Sequence, residues 1–271
     1  IYKSSSDTEL TDQLVECSGC DLVYLNPRIQ SSIIMESYSE ANDPKFVSQN
    51  PLRICTFRKF FNNWIKRTQS NPAVEKKILD VGCAAGAFPK VAQDMGFSVV
   101  GVEPSKYLCN FGQREYGLDL RQGTLHEQNF SEEEFNIVSM FDVIEHLPID
   151  SEHQLFNEMF RVLKLGGKIF LSTPYASKIS MVTDPAYWLI GHRHYSIKKL
   201  IQFGSDVGLL TKSVQIKGRL YEIVDLFNLY ISKWIFRRSP FFENIIDKKV
   251  NEEYKETGYM TIFIDFQKVS K

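Results

Sequence analysis

"KILDVGCAAGAF", residues 77–88, decides how the rest of the chain folds. An apolar run of strand length, Ile78 to Val81, stops at Gly82. Helical spacing then carries the chain from Ala87 until Gly96 ends it. A buried strand, a glycine turn and a helix are the first half of a strand–helix–strand unit, in which the returning strand lies parallel to the first.

Downstream the same alternation repeats. "FSVVGVEP" (97–104) is a second strand, and "SKYLCNFGQREYG" (105–117) a helix with Ser105 placed to cap it. "LDLRQGTL" (118–125) holds a short third strand and "FNIVSMFDV" (135–143) the fourth. A helix lies within "DSEHQLFNEMFRVLK" (150–164), and Gly166-Gly167 turn the chain into "KIFLSTP" (168–174). The helix "SIKKLIQFGSDVG" (196–208) leads to the sixth strand, "LLTKSVQIK" (209–217), and "YMTIFIDFQKV" (259–269) is the last. Upstream, "PLRICTFRKFFNNWIKRTQS" (51–70) carries Ile54, Phe57, Phe60, Phe61, Trp64 and Ile65 at helical spacing, broken by Asn71-Pro72. The fold class is α/β: a doubly wound, mostly parallel seven-stranded sheet with helices on both faces. Ligands bind such a sheet at the carboxyl ends of its strands, where the strand order reverses.

The turn itself narrows the ligand. Glu103 ends the second strand about 20 residues after Gly82, the spacing at which an acid accepts hydrogen bonds from ribose hydroxyls. A dinucleotide site calls for G-x-G-x-x-G with backbone amides facing a pyrophosphate. Here the frame is G-x-A-x-G, with Asp80 just before it. An acid there repels phosphate and suits a cation, which points to a sulfonium nucleoside. Cys83 reads as a small buried hydrophobe rather than a nucleophile.

A second polar group interrupts the fourth strand. In "SMFDVIEHLPID" (139–150), Asp142, Glu145 and His146 follow an apolar run. If the chain turns helical after Phe141, these three share one face at i, i+3 and i+4. Two mechanisms fit. In one, His146 is a general base, with Glu145 or Asp142 orienting it or holding a substrate hydroxyl. In the other, all three ligate a divalent ion. The metal-free base is the preferred reading.

"ILDVGCAAGAF", "VVGVEPS", "GTLHEQNFSEEEFNIVSMFDVIEHLPI" and "LKLGGKIFLSTP", in order over roughly residues 77–174, resemble the successive motifs of class I S-adenosylmethionine-dependent methyltransferases. Similarity to their ubiquinone-type and sugar-modifying small-molecule branch continues through "GHRHYSIKKLIQFGSDVGL". The resemblance implies a Rossmann-like fold, S-adenosylmethionine as cofactor and S-adenosylhomocysteine as product. It implies that Gly82 and Gly86 flank the methionine moiety, that Glu103 binds the ribose, and that Gly123, Thr124 and Leu125 edge the adenine. Leu125 or Pro104 would pack on the ring, and Asp80, Cys83, Ala84, Phe88 and Phe141 complete the cofactor set. Ala84 departs from the family's more usual glycine and serves if its φ is negative.

The loop "YWLIGHRHYS" groups Tyr187, Trp188, His192, His194 and Tyr195 as a candidate substrate lid, with His192 the preferred contact. Residues 1–50 form an amino-terminal appendage before a domain at 51–271. Within it, Cys17-x-x-Cys20 is half a zinc knuckle with no second half in this chain, so a free-thiol reading stands. "CSGCDLVYLNPR" resembles an appendage of some sugar and polysaccharide methyltransferases, which favours a sugar or polysaccharide hydroxyl as acceptor, ahead of a quinone-type phenol. Tyr24 and Tyr38 are further substrate candidates. A helical insertion at about 219–256 mixes aromatics with Lys233, Arg237 and Arg238, which suits a core cap, a homodimer contact or peripheral membrane contact.

Composition excludes other classes. Lys and Arg number 32 against 33 Asp and Glu, a net charge of −1, so nucleic acid is not an expected partner. No apolar run reaches 18 residues, and no signal-peptide pattern stands at the start. Five cysteines make an odd count that suits a reducing, cytoplasmic setting. A methyltransferase that acts on protein or RNA, and a cofactor-binding module without catalysis, are weaker readings.

Overall fold

In the computed structural model the described residues are 14–16, 23–25, 44–68, 74, 77–148, 150–177, 193–217, 231, 236–237 and 261–269. The chain divides into two compact units, Ile1–Tyr38 and Ser39–Lys271. In the smaller, β1 (Leu14–Glu16) pairs antiparallel with β2 (Val23–Leu25), Val15 opposite Tyr24.

The larger unit opens with helices α1 (Pro44–Ser48) and α2 (Asn50–Thr68). It continues as β3 (Lys77–Val81), α3 (Ala87–Asp94), β4 (Ser98–Glu103), α4 (Lys106–Tyr116), β5 (Asp119–Gln122), β6 (Phe135–Phe141), α5 (Glu152–Val162), β7 (Leu163–Pro174), α6 (Ile197–Asp206), β8 (Leu209–Lys217) and β9 (Thr261–Lys268). The seven expected strands form one sheet in the order β5-β4-β3-β6-β7-β9-β8. The five strands from β3 to β7 run parallel, and β9 is antiparallel to both its neighbours. Strand order reverses between β3 and β6, which places a ligand crevice at their carboxyl ends.

Central strands covered on both faces read as continuous apolar runs. In β3, Ile78 and Leu79 are fully buried on opposite faces. Ile78, Ile137 and Phe170 pack under Phe61 and Trp64 of α2 and Phe88 of α3. Leu79, Val138 and Ile169 pack on the other face, with Phe156 and Met159 of α5 and Leu200 and Phe203 of α6. Each fully buried aromatic or aliphatic side chain contributes about 1.5–3 kcal/mol. Trp64 anchors α2 through its indole N–H, which donates to Asp265 Oδ1 at 2.9 Å, while Arg67 pairs with Oδ2 at 2.6 Å. Ser105 caps α4 as expected, its hydroxyl accepting from Leu108 N–H.

One expectation about local structure is corrected. The chain does not become helical after Phe141. Asp142 takes a left-handed φ of 53°, Ile144–His146 form one short 3₁₀ turn, and α5 begins only at Glu152. Asp142, Glu145 and His146 therefore do not share an α-helical face. Leu147-Pro148 explains the stop, because a residue before proline is pushed to extended backbone, and Leu147 has ψ 158°.

Candidate active site

At the end of β3 the chain makes a turn in which every second residue is left-handed: Gly82 at φ 69°, Ala84 at 47° and Gly86 at 78°. Ala84 thus has a positive φ, where a negative one was expected from the sequence. The reason is a hydrogen bond. Ala84 N–H points back to Glu103 and donates to Oε2 at 3.0 Å, while Ser105 N–H donates to Oε1 at 3.0 Å. Gly82 N–H and Cys83 N–H both donate to Val102 O, at 2.8 and 3.0 Å, tying the turn to β4. At Gly82 a Cβ would lie 2.3 Å from Val143 Cγ2, so bare backbone is required where the turn meets the segment after β6.

Asp80 is buried beneath this turn. It lies in register with Ser139 of β6, whose hydroxyl donates to Oδ1 at 2.6 Å. Burial pushes its carboxyl up to about 8, the serine bond opposes that, and the charge of Glu103 adds to it. Glu103 is raised as well, by burial, against the pull of its two backbone donors. Two buried carboxyls beside a glycine turn suit a cation once Asp80 has lost its proton. Each Glu103 oxygen uses one lone pair on a backbone N–H and keeps another for a hydroxyl. The residues therefore fit a positively charged nucleoside: hydroxyl acceptors at Glu103, an acid at Asp80, and backbone alone at Gly82.

The remaining cofactor candidates surround this point. Gly123 N–H donates to Glu103 O at 3.0 Å, and the Gly123–Leu125 segment leaves β5 with Leu125 buried and Pro104 half-buried. Thr124 is occupied by Glu127, which accepts from both its N–H and its hydroxyl. Cys83 is buried, and burial raises its thiol well above the usual range, so the thiolate is suppressed. Phe88 is buried and packs its ring against Phe57, Phe61 and Phe141, of which Phe57 and Phe141 are half-buried.

Across the crevice, after β6, lies the second polar group. Asp142 is exposed and accepts from Ser172 Oγ at 2.9 Å. Glu145 is buried, 2% exposed, and accepts from Thr173 Oγ1 at 2.8 Å. Burial first, and the charge of Asp142 second, hold its carboxyl well above the ordinary carboxylate range. His146 is half-buried, and its N–H closes the turn on Val143 O at 2.9 Å. Among the described residues, no group of three His, Cys, Asp or Glu side chains is arranged to hold a metal ion.

Tyr195 is buried, its hydroxyl donating towards Glu152 Oε1 (3.0 Å) and Ile144 O (3.2 Å), and His194 is half-buried beside it. His192, Tyr187, Trp188, Tyr38, Cys17, Cys20, Lys233 and Arg238 lie outside the described residues, as does most of the 219–256 insertion. Tyr24 belongs to β2 of the smaller unit. The sequence reading missed Ser139, Thr173 and Arg193. A serine inside the apolar run "NIVSMF" was the one available signal for Ser139.

A sheet of this order, with a glycine turn after β3, an acid at the end of β4 and an acid–imidazole turn after β6, has the class I S-adenosylmethionine-dependent methyltransferase architecture. The chain belongs to the methyltransferase-domain family, which it matches over residues 48–203, more than half its length. It is 29% identical over 130 residues to a ubiquinone biosynthesis O-methyltransferase of Pseudomonas entomophila (46% of this chain, 51% of that protein). Against the protein of the same name from Pseudomonas putida strain GB-1 it is 28% identical over 182 residues (61% and 73%). The chain thus spans about half the length of the first of these relatives. Its fold is similar to that of a SAM-dependent methyltransferase of Archaeoglobus fulgidus (TM-score 0.54, 17% identity, 83% of this chain and 100% of that one). It is also similar to a phosphoethanolamine N-methyltransferase 2 of Haemonchus contortus (TM-score 0.52, 19% identity, 72% and 49%).

Proposed function

We propose that this chain transfers a methyl group from S-adenosylmethionine to a hydroxyl of a small-molecule acceptor, of the phenol or quinol type. The observation that carries this reading is that the glycine turn after β3 meets the segment after β6, where a Cβ on Gly82 would lie 2.3 Å from Val143 Cγ2, so that two kinds of acid lie at the carboxyl ends of neighbouring strands. Asp80 and Glu103 suit a cationic nucleoside on one side, and Glu145 with His146 suit proton handling on the other. The phenolic class is supported by the ubiquinone biosynthesis O-methyltransferases to which the chain is similar.

Asp80 would balance the cofactor's positive charge, Glu103 would accept from its ribose hydroxyls, and Gly82 would let it lie against the backbone. Bound there, S-adenosylmethionine supplies an electrophilic methyl on a sulfonium. His146 takes the acceptor's hydroxyl proton at its imidazole, which suits a group with an unperturbed pKa of about 6.5. Glu145, its carboxyl fixed by the Thr173 hydroxyl, orients the acceptor's hydroxyl or the imidazole by a hydrogen bond, and the proton removed from the acceptor stays on His146 until it passes to solvent. The metal-assisted alternative would need Asp142, Glu145 and His146 to converge, which they do not do in this structure. Incubation with EDTA separates them: retained turnover favours the base.

The sugar or polysaccharide acceptor rests on residues 17–28, most of which lie outside the described residues. The test is a radiolabelled methyl-transfer assay against catechols and hydroquinones, with and without short prenyl tails, beside a sugar-nucleotide set. Methylation confined to sugar nucleotides would overturn the phenolic reading. Failure to bind S-adenosylhomocysteine in calorimetry would overturn the whole assignment.

A further inference from the structure

The side chains that carry the proposed chemistry sit on a turn with little regular structure of its own, and one residue far along the chain holds it. Arg193 N–H donates to Glu145 O at 3.3 Å. Its Nη2 reaches Ile144 O at 3.0 Å, Leu147 O at 2.6 Å and Pro148 O at 3.3 Å. One residue thus engages four of the five carbonyls from Ile144 to Pro148. Its Nη1 pairs with Glu152 Oε1 at 2.5 Å, at the first residue of α5, where a carboxylate is also favoured by the helix dipole. Tyr195 hydroxyl closes the group on the same Glu152 oxygen and on Ile144 O, and its ring lies 5.5 Å from the guanidinium carbon. The Glu152 side chain is only 4% exposed and that of Arg193 19%, so solvent screens this ion pair little.

We propose that Arg193 is a positioning residue for methyl transfer: with Glu152 and Tyr195 as its supports, it fixes the 144–148 turn and so places Glu145 and His146 against the acceptor. The inference rests on the reading that those two residues handle the acceptor's proton. A planar fork with several donors is what the task requires. Converging carbonyls at the end of a 3₁₀ turn repel one another, and a fixed cation that bonds several at once removes that repulsion. Lysine, a point charge, would keep the bond to Glu152 and lose most of the fan of carbonyls. Arg193 touches neither Asp80 nor Glu103 among its recorded bonds, so cofactor affinity should be indifferent to it.

The test compares Arg193→Gln, Arg193→Lys and Tyr195→Phe with the parent chain. Arg161→Gln serves as a control, because Arg161 also bridges a glutamate and a backbone carbonyl, Glu158 and Phe130 O, away from the crevice. Hydrogen–deuterium exchange needs no acceptor. In Arg193→Gln the amides of His146 and Leu147 should exchange at least about tenfold faster, with those of β3 and β4 unchanged and S-adenosylhomocysteine affinity within about twofold. With an acceptor in hand, kcat should fall about a hundredfold, the loss typical of a slightly displaced catalytic group, and Arg193→Lys should recover part of it. Arg161→Gln should change neither. Parent-like exchange at 144–148 in Arg193→Gln overturns the proposal, as does an equal loss of cofactor affinity and turnover. If Arg193→Gln does not fold, Arg193→Lys and Tyr195→Phe decide on the same readouts. His146→Ala is assayed beside them. If it keeps full turnover, the proton-handling reading fails; if it loses turnover and the Arg193 variants do not, only the present inference fails.

Discussion

The two sides of the crevice are built on different principles. On the cofactor side, backbone groups bond to one carboxylate over a short span: residues 82–86 fold onto Val102, Glu103 and Ser105. On the acceptor side, the turn at 142–148 depends on side chains from far along the chain, Ser172, Thr173, Arg193 and Tyr195. Local, backbone-made sites tolerate little change in conformation. Sites assembled from distant side chains can change specificity without disturbing the sheet. Each prediction below affects one side and should leave the other alone.

The largest effect belongs to the acceptor side. His146→Ala should lower turnover by about 10² to 10⁴, the usual worth of a general base, with unchanged affinity for S-adenosylhomocysteine. Single-turnover methyl transfer measures the first and calorimetry the second. Coupled loss of both would show that the two sides are not separable.

Next is Glu103→Ala. It removes an acceptor shared by Ala84 and Ser105 and leaves two N–H groups without their carboxylate, beside the lost contact to ribose. A hydrogen bond to a charged group is worth about 1.5–3 kcal/mol, so cofactor affinity should fall about ten- to a hundredfold. The amides of residues 144–148 should exchange as in the parent.

Asp80 makes the cofactor side sensitive to pH. Its carboxyl is raised to about 8 in the folded chain, so below that pH it is mostly protonated, and a cation can be balanced only after the proton leaves. Affinity for S-adenosylmethionine should therefore rise with pH, by up to about tenfold per unit, and level off near 8. Calorimetry below pH 8, in buffers of different ionisation enthalpy, should detect one proton released on binding. Asp80→Asn should abolish both the release and the slope. For the empty protein the sign is opposite: folding favours the neutral acid, so this group's contribution to stability declines as pH rises from the ordinary carboxylate range towards 8.

The same division explains what could be read from the sequence. The central strands and the glycine turn announced themselves, because burial on both faces writes apolar runs and a glycine marks where backbone must bend; the edge strands β5 and β8, which are partly exposed, were legible from their place in the alternation. Glu103 stood out by its fixed distance along the chain from Gly82, and in the structure its carboxylate bonds the turn through Ala84 N–H. The residues that organise the acceptor side were not. Arg193 stands between two histidines that drew attention first, and nothing local indicates that its partners lie at 144–148 and 152. Asp142, Glu145 and His146 stood out as residue types, but helical spacing does not hold for them: Asp142 is left-handed, the turn after it is a single 3₁₀ turn, and Pro148 pushes Leu147 to extended backbone.

The smallest effect tests the one place where the cofactor side is strained. Ala84 holds φ 47°, a region that costs a residue with a Cβ about 1–2 kcal/mol relative to glycine. It does so because the bond from its N–H to Glu103 is worth more than the strain. Ala84→Gly relieves the strain, but glycine's greater freedom in the unfolded chain returns part of the gain. A net stabilisation of about 0.5–1 kcal/mol is expected in denaturant melts, with cofactor affinity unchanged or slightly improved. Ala84→Val should go the other way, since a β-branched residue resists this conformation more strongly. If Ala84→Gly were destabilising, Ala84 would have to owe its place to contacts of its methyl group rather than to the backbone bond. The cofactor seat would then depend on side-chain packing, as the acceptor seat does, and the contrast between the two sides would fail at this residue.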